Sequence, residues 1–232
     1  MKILEEKIYT IPVNEAFSKK DGCPFCRLVT ELENTERDLI MGASMMEPDI
    51  RIKTNKSGFC KKHYKQMFEM NNRLSLALML ESHLGEIAGE TVIYKDSLLG
   101  KDNSKKACEN MERIHKSCYI CEKTAEKFEK MLLCAVLLWQ TEPEFREKCL
   151  SQPYFCLEHA GKFVETAKYK LDKKLFAKFA ENISDVQKKY IGSLKEDVSW
   201  YCKKFDYRYD NEPWGNAKDS VERAIRFLSG EY

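Results

Sequence analysis

The chain has 232 residues, of which 43% are hydrophobic and 33% are charged, which is typical of a globular protein with a sizeable core. Its 39 basic and 37 acidic residues nearly cancel, so the charge does not favour nucleic acid or an anionic membrane surface as a partner. The longest apolar run, "MLLCAVLLW" from Met131 to Trp139, is too short to cross a bilayer.

The N-terminal stretch has neither an apolar signal core nor a small-residue cleavage site, and we therefore expect a cytoplasmic protein. Ten cysteines are many for such a protein, and disulfides explain them poorly in a reducing compartment. Metal binding or redox chemistry explains them better. Within this stretch, residues Ile8 to Val13 predict a short extended segment.

The first cysteine pair, "CPFC", supplies Cys23 and Cys26. The apolar residues that follow it recur at helical spacing. Pro48, like Pro143 in the second half of the chain, predicts the end of a helix and the start of a short connector. "CKKH" then supplies Cys60 and His63. The segment after it is apolar nearly all round from Leu74 to Leu80, which predicts a helix that is buried on most sides.

The same order of motifs returns in the second half of the chain. "CYIC" supplies Cys118 and Cys121, an "EPEFR" segment matches the earlier "EPDIR", and "CLEH" supplies Cys156 and His159. The stretch after Cys156 predicts one very long helix or two helices in line. This repetition predicts an internal duplication, and the repeated helical periodicity predicts an all-α, internally duplicated helical bundle with two metal-binding CxxC…CxxH modules.

Three sulfurs and one nitrogen form a ligand set that suits tetrahedral Zn²⁺, and such a set occurs twice. We therefore predict two zinc sites. Because four protein ligands leave no open position for a substrate, the predicted role of each site is structural. The predicted metal ligands are Cys23, Cys26, Cys60, His63, Cys118, Cys121, Cys156 and His159.

Two pairings of these ligands keep the same symmetry. The first joins each Cys-x-x-Cys to the Cys-x-x-His of its own repeat, and the second joins it to that of the other repeat. Because the closure of a short loop costs less entropy, we favour the pairing within each repeat.

Two other chemistries use the same residues. "CPFC" resembles a redox-active dithiol, although the expected βαβ context is missing. An iron–sulfur cluster could also bind these ligands, although four cysteines are its usual set. The thiol-based alternative for the function is a redox or metal-responsive protein that uses one labile site.

Several residues outside the motifs have simpler explanations. Cys134 and Cys202 lie in helical apolar patterns and are predicted to be core residues. His83 is predicted to be a hydrogen-bonded histidine at the core or its boundary. The acidic residues Glu31, Glu33 and Glu36 are predicted to form a solvated helix face.

The C-terminal segment "NEPWGNAKDSVERAIRFLSG" predicts a docked helix that is capped by Asp219 or Ser220 and anchored by Trp214. Its inward residues are expected to be Val221, Ala224, Ile225 and Leu228. The duplicated cysteine motifs together with "EPWG…KD…RAI" resemble a bacterial protein family of unknown function over nearly the whole chain. The resemblance implies a zinc-binding helical protein and no transferable activity.

The expected organisation has four parts: an N-terminal arm (1–22), a first repeat (23–107), a second repeat (108–206) and a C-terminal loop with a docked helix (207–232). The expected function is that of a non-enzymatic, zinc-stabilised scaffold that binds an unidentified protein partner. Neither nucleic acid nor a membrane is expected as a partner.

Overall fold

The structure, a computed structural model, describes residues 2–94 and 102–230. These residues form helices and no strand, which confirms the all-α prediction. None of the described helices is long and apolar enough to cross a membrane. The α-helices are α1 (Lys2–Ser18), α2 (Pro24–Met41), α3 (Pro48–Ser57), α4 (Lys61–Glu69), α5 (Arg73–Thr91), α6 (Ser104–Lys116), α7 (Tyr119–Thr141), α8 (Pro143–Leu150), α9 (Leu157–Lys170), α10 (Lys173–Lys203) and α11 (Ser220–Ser229).

The chain folds into two compact units. The terminal unit consists of residues 1–30 and 128–232, and the central unit consists of residues 31–127. The terminal unit therefore contains the first cysteine pair together with the second Cys-x-x-His motif. The four-part division by sequence repeats stays a prediction, and the compact units group the chain differently.

The order of helices after each cysteine pair supports the predicted duplication. Helices α2 to α5 follow "CPFC", and helices α7 to α10 follow "CYIC" in the same order. Pro48 and Pro143 occupy the first turns of α3 and α8. Backbone N–H groups in the first turn have no hydrogen-bond partner within the helix, so the lack of an N–H in proline costs nothing there. Both prolines therefore begin helices rather than the predicted connectors. The duplication itself stays a prediction.

The core of the terminal unit is aromatic. The Phe17 and Phe145 rings are 4.8 Å apart, and so are the Phe25 and Phe163 rings. Phe17 lies in α1, which also covers the segment Ile8 to Val13 that we predicted to be extended. That prediction was wrong because Val13, Ala16 and Phe17 are buried together at helical spacing.

Helices α9 and α10 fold back on each other instead of continuing in line. The rings of Phe163 in α9 and Phe179 in α10 pack 4.8 Å apart, although they are separated by more than four helical turns of sequence. Asp172 lies between the helices, and its carboxylate accepts the backbone N–H groups of Lys174 and Leu175. This cap starts a new helix, and neither predicted arrangement was correct.

The C-terminal segment packs with a different face from the predicted one. Phe227 is buried, with its ring 5.9 Å from that of Tyr154, whereas Val221, Ile225 and Leu228 are exposed. Asp219 stands at the N-cap position, but its side chain accepts a hydrogen bond from Arg223 instead of capping the helix.

The loop before α11 is held by a buried lysine. The Lys204 ammonium donates hydrogen bonds to the backbone carbonyls of Tyr209, Asp210 and Glu212. The same ammonium lies 5.5 Å from the centre of the Trp214 ring, which also packs 5.6 Å from Tyr201. Trp214 is therefore an anchor, as predicted.

Helix α5 of the central unit is more exposed than its composition predicts. Leu76, Met79 and His83 are buried, but Leu74 is 71% exposed and Leu84 is 59% exposed. Only one stripe of α5 is therefore buried, and the prediction of a helix that is buried on most sides was wrong. His83 donates a hydrogen bond to the Asn55 carbonyl, as predicted for a histidine of the core boundary.

The two cysteines that we predicted to lie in the core have different surroundings. Cys134 in α7 is 3% exposed, which confirms the prediction. Cys202 is exposed, and that prediction was wrong. Cys202 lies near the end of α10, where Tyr201 and Lys204 make the packing contacts with the loop that follows.

Candidate metal centres

The terminal unit brings together Cys23, Cys26, Cys156 and His159, which we call the terminal cluster. Cys23 immediately precedes α2 and Cys26 lies in its first turn. Cys156 is the N-cap residue of α9, and His159 lies one turn further on. Each three-residue spacing therefore directs two ligands from the start of a helix to the same point.

The donor atoms of the terminal cluster are in close contact. The Cys26 sulfur is 3.5 Å from the Cys156 sulfur and 3.3 Å from Nδ1 of His159. The same nitrogen is 3.2 Å from the Cys156 sulfur and 3.9 Å from the Cys23 sulfur. All four donors lie within 4.8 Å of one another.

The surroundings of the terminal cluster are apolar and closed to solvent. The rings of Phe25 and Phe128 lie 6.1 and 5.0 Å from the His159 ring. The end of α11 also reaches the cluster, since a Cβ built on Gly230 would lie 3.8 Å from the Cys26 sulfur. All four residues that form the cluster are buried.

The central unit brings together Cys60, His63, Cys118 and Cys121, which we call the central cluster. Cys60 is the N-cap residue of α4, and Cys118 immediately precedes α7. Nδ1 of His63 lies 3.3, 3.2 and 3.5 Å from the sulfurs of Cys60, Cys118 and Cys121. The sulfurs of Cys60 and Cys121 are 3.9 Å apart.

A backbone clasp joins the two halves of the central cluster. The Tyr119 N–H donates to the Gly58 carbonyl at 3.0 Å, and the Ser117 hydroxyl donates to the Ser57 carbonyl at 2.7 Å. Gly58 has a φ of +57° and closely approaches the ring of His83. The clasp thus holds the segment before Cys60 against the segment around Cys118.

The central cluster is only partly shielded. Cys118 and His63 are buried, whereas Cys60 is half-buried and Cys121 is exposed. Glu33 lies on the far side of the histidine, with one carboxylate oxygen 3.6 Å from Nε2 of His63 and the other 2.6 Å from the Lys62 ammonium. We predicted a solvated helix face here, and Glu31 is exposed, but the side chain of Glu33 is 15% exposed and Glu36 is buried.

The chain matches the family of unknown function DUF6062 over residues 3–232. It belongs to that family. The sequence resemblance to a family of unknown function is therefore confirmed. Neither the curated proteins nor the solved structures provide a match to this family member.

All eight predicted ligand residues of this DUF6062 member meet in four-residue groups, but the favoured pairing within each repeat was wrong. Loop-closure entropy grows only with the logarithm of loop length, so the longer closure costs about 1 kcal/mol more. Packing outweighs that difference. Phe25 lies between the first two cysteines and Phe155 precedes Cys156, and their buried rings are 5.9 Å apart.

In each cluster one cysteine has a lowered pKa and is therefore expected to be a thiolate before any cation binds. Hydrogen bonds from Cys121 and His63 lower the pKa of Cys118 to about 3, although burial opposes the shift. Hydrogen bonds from Cys23 and Cys26 likewise lower the pKa of Cys156. Burial raises the pKa of Cys23, and the neighbouring Cys156 and Cys26 raise it further because a second thiolate beside the first is unfavourable.

The pKa of His63 is raised, whereas that of the neighbouring Cys118 is lowered. Burial lowers the pKa of His63, but the hydrogen bond to Cys118 and the nearby carboxylate of Glu33 outweigh burial and raise the pKa to about 10. A metal ion would take the place of the proton at Nδ1, while Glu33 stays close to Nε2. Both clusters could hold a metal ion, and the donor set of each is three sulfurs and one nitrogen.

Proposed function

We propose that this protein is a zinc-binding, non-enzymatic helical scaffold in which each cluster holds one structural Zn²⁺. The spacing of the donor atoms carries the proposal. A tetrahedral zinc ion has Zn–S bonds of about 2.3 Å and Zn–N bonds of about 2.0–2.1 Å, which place the sulfurs roughly 3.8 Å apart and sulfur and nitrogen roughly 3.6 Å apart. The S–S and S–N separations described above range from 3.2 to 3.9 Å, and all four donors of each cluster lie within 4.8 Å of one another.

The same spacing argues against an iron–sulfur cluster. The four protein ligands of such a cluster are shared among at least two iron atoms, so some of the ligand atoms lie further apart than the ligands of a single ion. Donor atoms that all lie within 4.8 Å of one another suit one metal ion. Three soft thiolates with one imidazole favour zinc over hard cations such as Mg²⁺.

The scaffold role follows from the completeness of the ligand sets. Four protein ligands fill the tetrahedral positions of zinc and leave none for a substrate. Each ion would link two helix starts, α2 with α9 or α4 with α7. We propose that the resulting rigid surface binds a protein partner.

The proposal is tested on the full chain purified without oxygen. We expect elemental analysis to find about two zinc ions per chain, by the four-ligand count. Replacement of exposed cysteines outside the clusters, in the variant Cys108→Ser/Cys202→Ser, should leave that number unchanged. Iron with inorganic sulfide, or no bound metal, would contradict the zinc assignment.

Cobalt substitution tests the structural role separately. Tetrahedral Co²⁺ bound by thiolates absorbs visible light, and its spectrum responds to any additional ligand. We expect added azide to leave the spectrum of the cobalt-loaded protein unchanged, because no coordination position is open. An azide-dependent change would show an open position and favour a catalytic metal.

A further inference from the structure

The two clusters contain an equivalent pair of sulfurs in contrasting surroundings. In each cluster this pair joins the second cysteine of a Cys-x-x-Cys motif to the cysteine of a Cys-x-x-His motif. The Cys26–Cys156 pair is buried, with its sulfurs 3.5 Å apart. The Cys60–Cys121 pair is open to solvent through the exposed Cys121, while Cys60 is half-buried, and its sulfurs are 3.9 Å apart. Any dissolved oxidant therefore reaches the central cluster first.

We propose that the central cluster is an oxidant-sensitive zinc site whose Cys60 and Cys121 form a disulfide when a hydroperoxide reacts with them. The inference rests on the proposed zinc function and assigns the labile role to one particular cluster. The terminal cluster remains the permanent structural site, since its four ligands are buried behind aromatic side chains.

The reaction balances with a hydroperoxide as the only oxidant. The Cys121 thiolate attacks the outer peroxide oxygen, the O–O bond breaks, and the leaving oxygen takes up a proton to form an alcohol or water. The Cys60 thiolate then attacks the sulfur of the resulting Cys121 sulfenic acid, which forms the S–S bond, breaks the S–O bond and releases hydroxide that is protonated to water. Two electrons pass from the two sulfurs to the peroxide.

The geometry makes this disulfide accessible without refolding. A disulfide bond is about 2.05 Å long, so the sulfurs must approach by roughly 2 Å from their present 3.9 Å. The backbone clasp between Gly58 and Tyr119 already holds the two segments together. After oxidation, His63 and Cys118 remain as ligands, and two ligands do not complete a tetrahedral zinc site.

Surrounding residues also favour reaction at this cluster. Lys123 lies two residues after the exposed Cys121, and Lys62 lies two residues after the half-buried Cys60. Their side chains pair with Glu126 at 2.7 Å and with Glu33 at 2.6 Å. The exposed edge is thus polar and open to water, whereas the terminal cluster faces Phe25 and Phe128.

The test treats the zinc-loaded full chain with hydrogen peroxide and follows zinc release with a chromogenic chelator. We expect one zinc ion per chain to be released about tenfold or more faster than the second, because reaction requires an accessible thiolate. Mass spectrometry should identify a Cys60–Cys121 disulfide, and a dithiol reductant with added zinc should restore the loaded protein. Equal release from both clusters, or a Cys118–Cys121 disulfide, would overturn the proposal.

Two variants make the result specific. The Cys108→Ser/Cys202→Ser variant removes exposed thiols that are not ligands and should release zinc at the unchanged rate. The Cys121→His variant keeps a zinc ligand but cannot form the disulfide, so its zinc should be retained under peroxide. Zinc release from Cys121→His at the normal rate would contradict the mechanism.

If that variant does not load zinc, Cys60→His provides the same test from the other sulfur. If neither variant binds zinc, the disulfide that mass spectrometry identifies in the unaltered chain tests the proposal. A protein that never contains zinc contradicts the proposed function, whereas a zinc protein that retains both ions under peroxide contradicts this inference alone.

Discussion

The sulfurs of Cys26 and Cys156 lie 3.5 Å apart although 130 residues separate them in the sequence. The terminal cluster therefore joins the beginning of its unit to a segment from the second half of the chain. A metal ion bound there would close a long loop, and closure of a long loop restricts the unfolded chain more than closure of a short one. The ligand pairing consequently determines how metal binding affects folding.

The pairing can be tested by removing one Cys-x-x-His motif at a time. In the variant Cys60→Ser/His63→Ala, we expect Cys118 and Cys121 to become reactive towards an alkylating reagent, because they lose their shared metal. Cys23 and Cys26 should stay protected. The variant Cys156→Ser/His159→Ala should give the reverse pattern. Exposure of Cys23 in the first variant would contradict the observed clusters.

The sequence predicted the features that depend on local spacing. Cys23 and Cys26 are three residues apart at the start of a helix, as are Cys156 and His159, and this spacing alone directs each pair to one point. Helical periodicity likewise predicted the all-α fold. None of these predictions requires knowledge of which segments pack together.

The features that the sequence did not predict depend on packing between distant segments. The proximity of Glu33 to His63 follows from the fold of the central unit, and nothing in the motif spacing indicates it. The inward face of α11 is set by the contact of Phe227 with Tyr154 and Tyr190. Its amphipathic pattern alone favoured Ile225 and Leu228. The pairing of ligands was missed for the same reason, since Phe25 and Phe155 pack across distant segments.

Removal of the metal is expected to destabilise the protein strongly. Structural zinc contributes on the order of 10 kcal/mol of folding free energy per site at neutral pH. Treatment with a strong chelator should therefore lower the melting temperature measured by circular dichroism, and added Zn²⁺ should restore it while Mg²⁺ should not. An unchanged thermal transition after complete removal of metal would argue against structural zinc.

Metal binding by the central cluster should depend on pH through His63. Its pKa of about 10 without metal means that the imidazole is protonated at neutral pH, and a metal ion must displace that proton. The raised pKa stabilises the metal-free fold fully below the unfolded value of 6.5, and this contribution is lost as the pH rises through about 10.

The protonated imidazole of the metal-free protein therefore weakens metal binding as the pH falls. We expect the zinc affinity of the central cluster to fall by at least about tenfold per pH unit between pH 9 and 7, which corresponds to one displaced proton. Calorimetry in buffers with different ionisation enthalpies would measure the released protons. A pH-independent affinity in this range would show that His63 is neutral before metal binds.

Replacement of two glycines should have opposite effects on stability. Gly58→Ala places a Cβ 2.6 Å from the His83 ring, and the backbone at φ +57° and ψ −154° lies in a region that is essentially restricted to glycine and costs other residues about 1–3 kcal/mol. Gly85→Ala in α5 meets no atom within 4 Å and should stabilise the helix by about 0.5–1 kcal/mol. Urea denaturation of the metal-loaded variants measures both changes, and equal effects would contradict the strained geometry of Gly58.

The buried ammonium of Lys204 should be essential for the loop before α11. Its hydrogen bonds to the carbonyls of Asp210 and Glu212 are 3.1 and 2.8 Å long, and a third carbonyl, that of Tyr209, accepts from the same group. Lys204→Met keeps a side chain of similar length but leaves these carbonyls without their donor. We expect the free energy of unfolding to fall by about 2–4 kcal/mol.

Lys195→Met, at an exposed position of α10, the helix that ends just before Lys204, provides the matched control and should change the unfolding free energy by less than about 0.5 kcal/mol. Hydrogen exchange separates a local effect from a global one. Amides of residues 207–219 should exchange faster in Lys204→Met, while those of the buried core around Phe163 should change only as much as the global stability does. Equal stability of the two variants would show that the three carbonyls find other partners and that the lysine does not hold this loop.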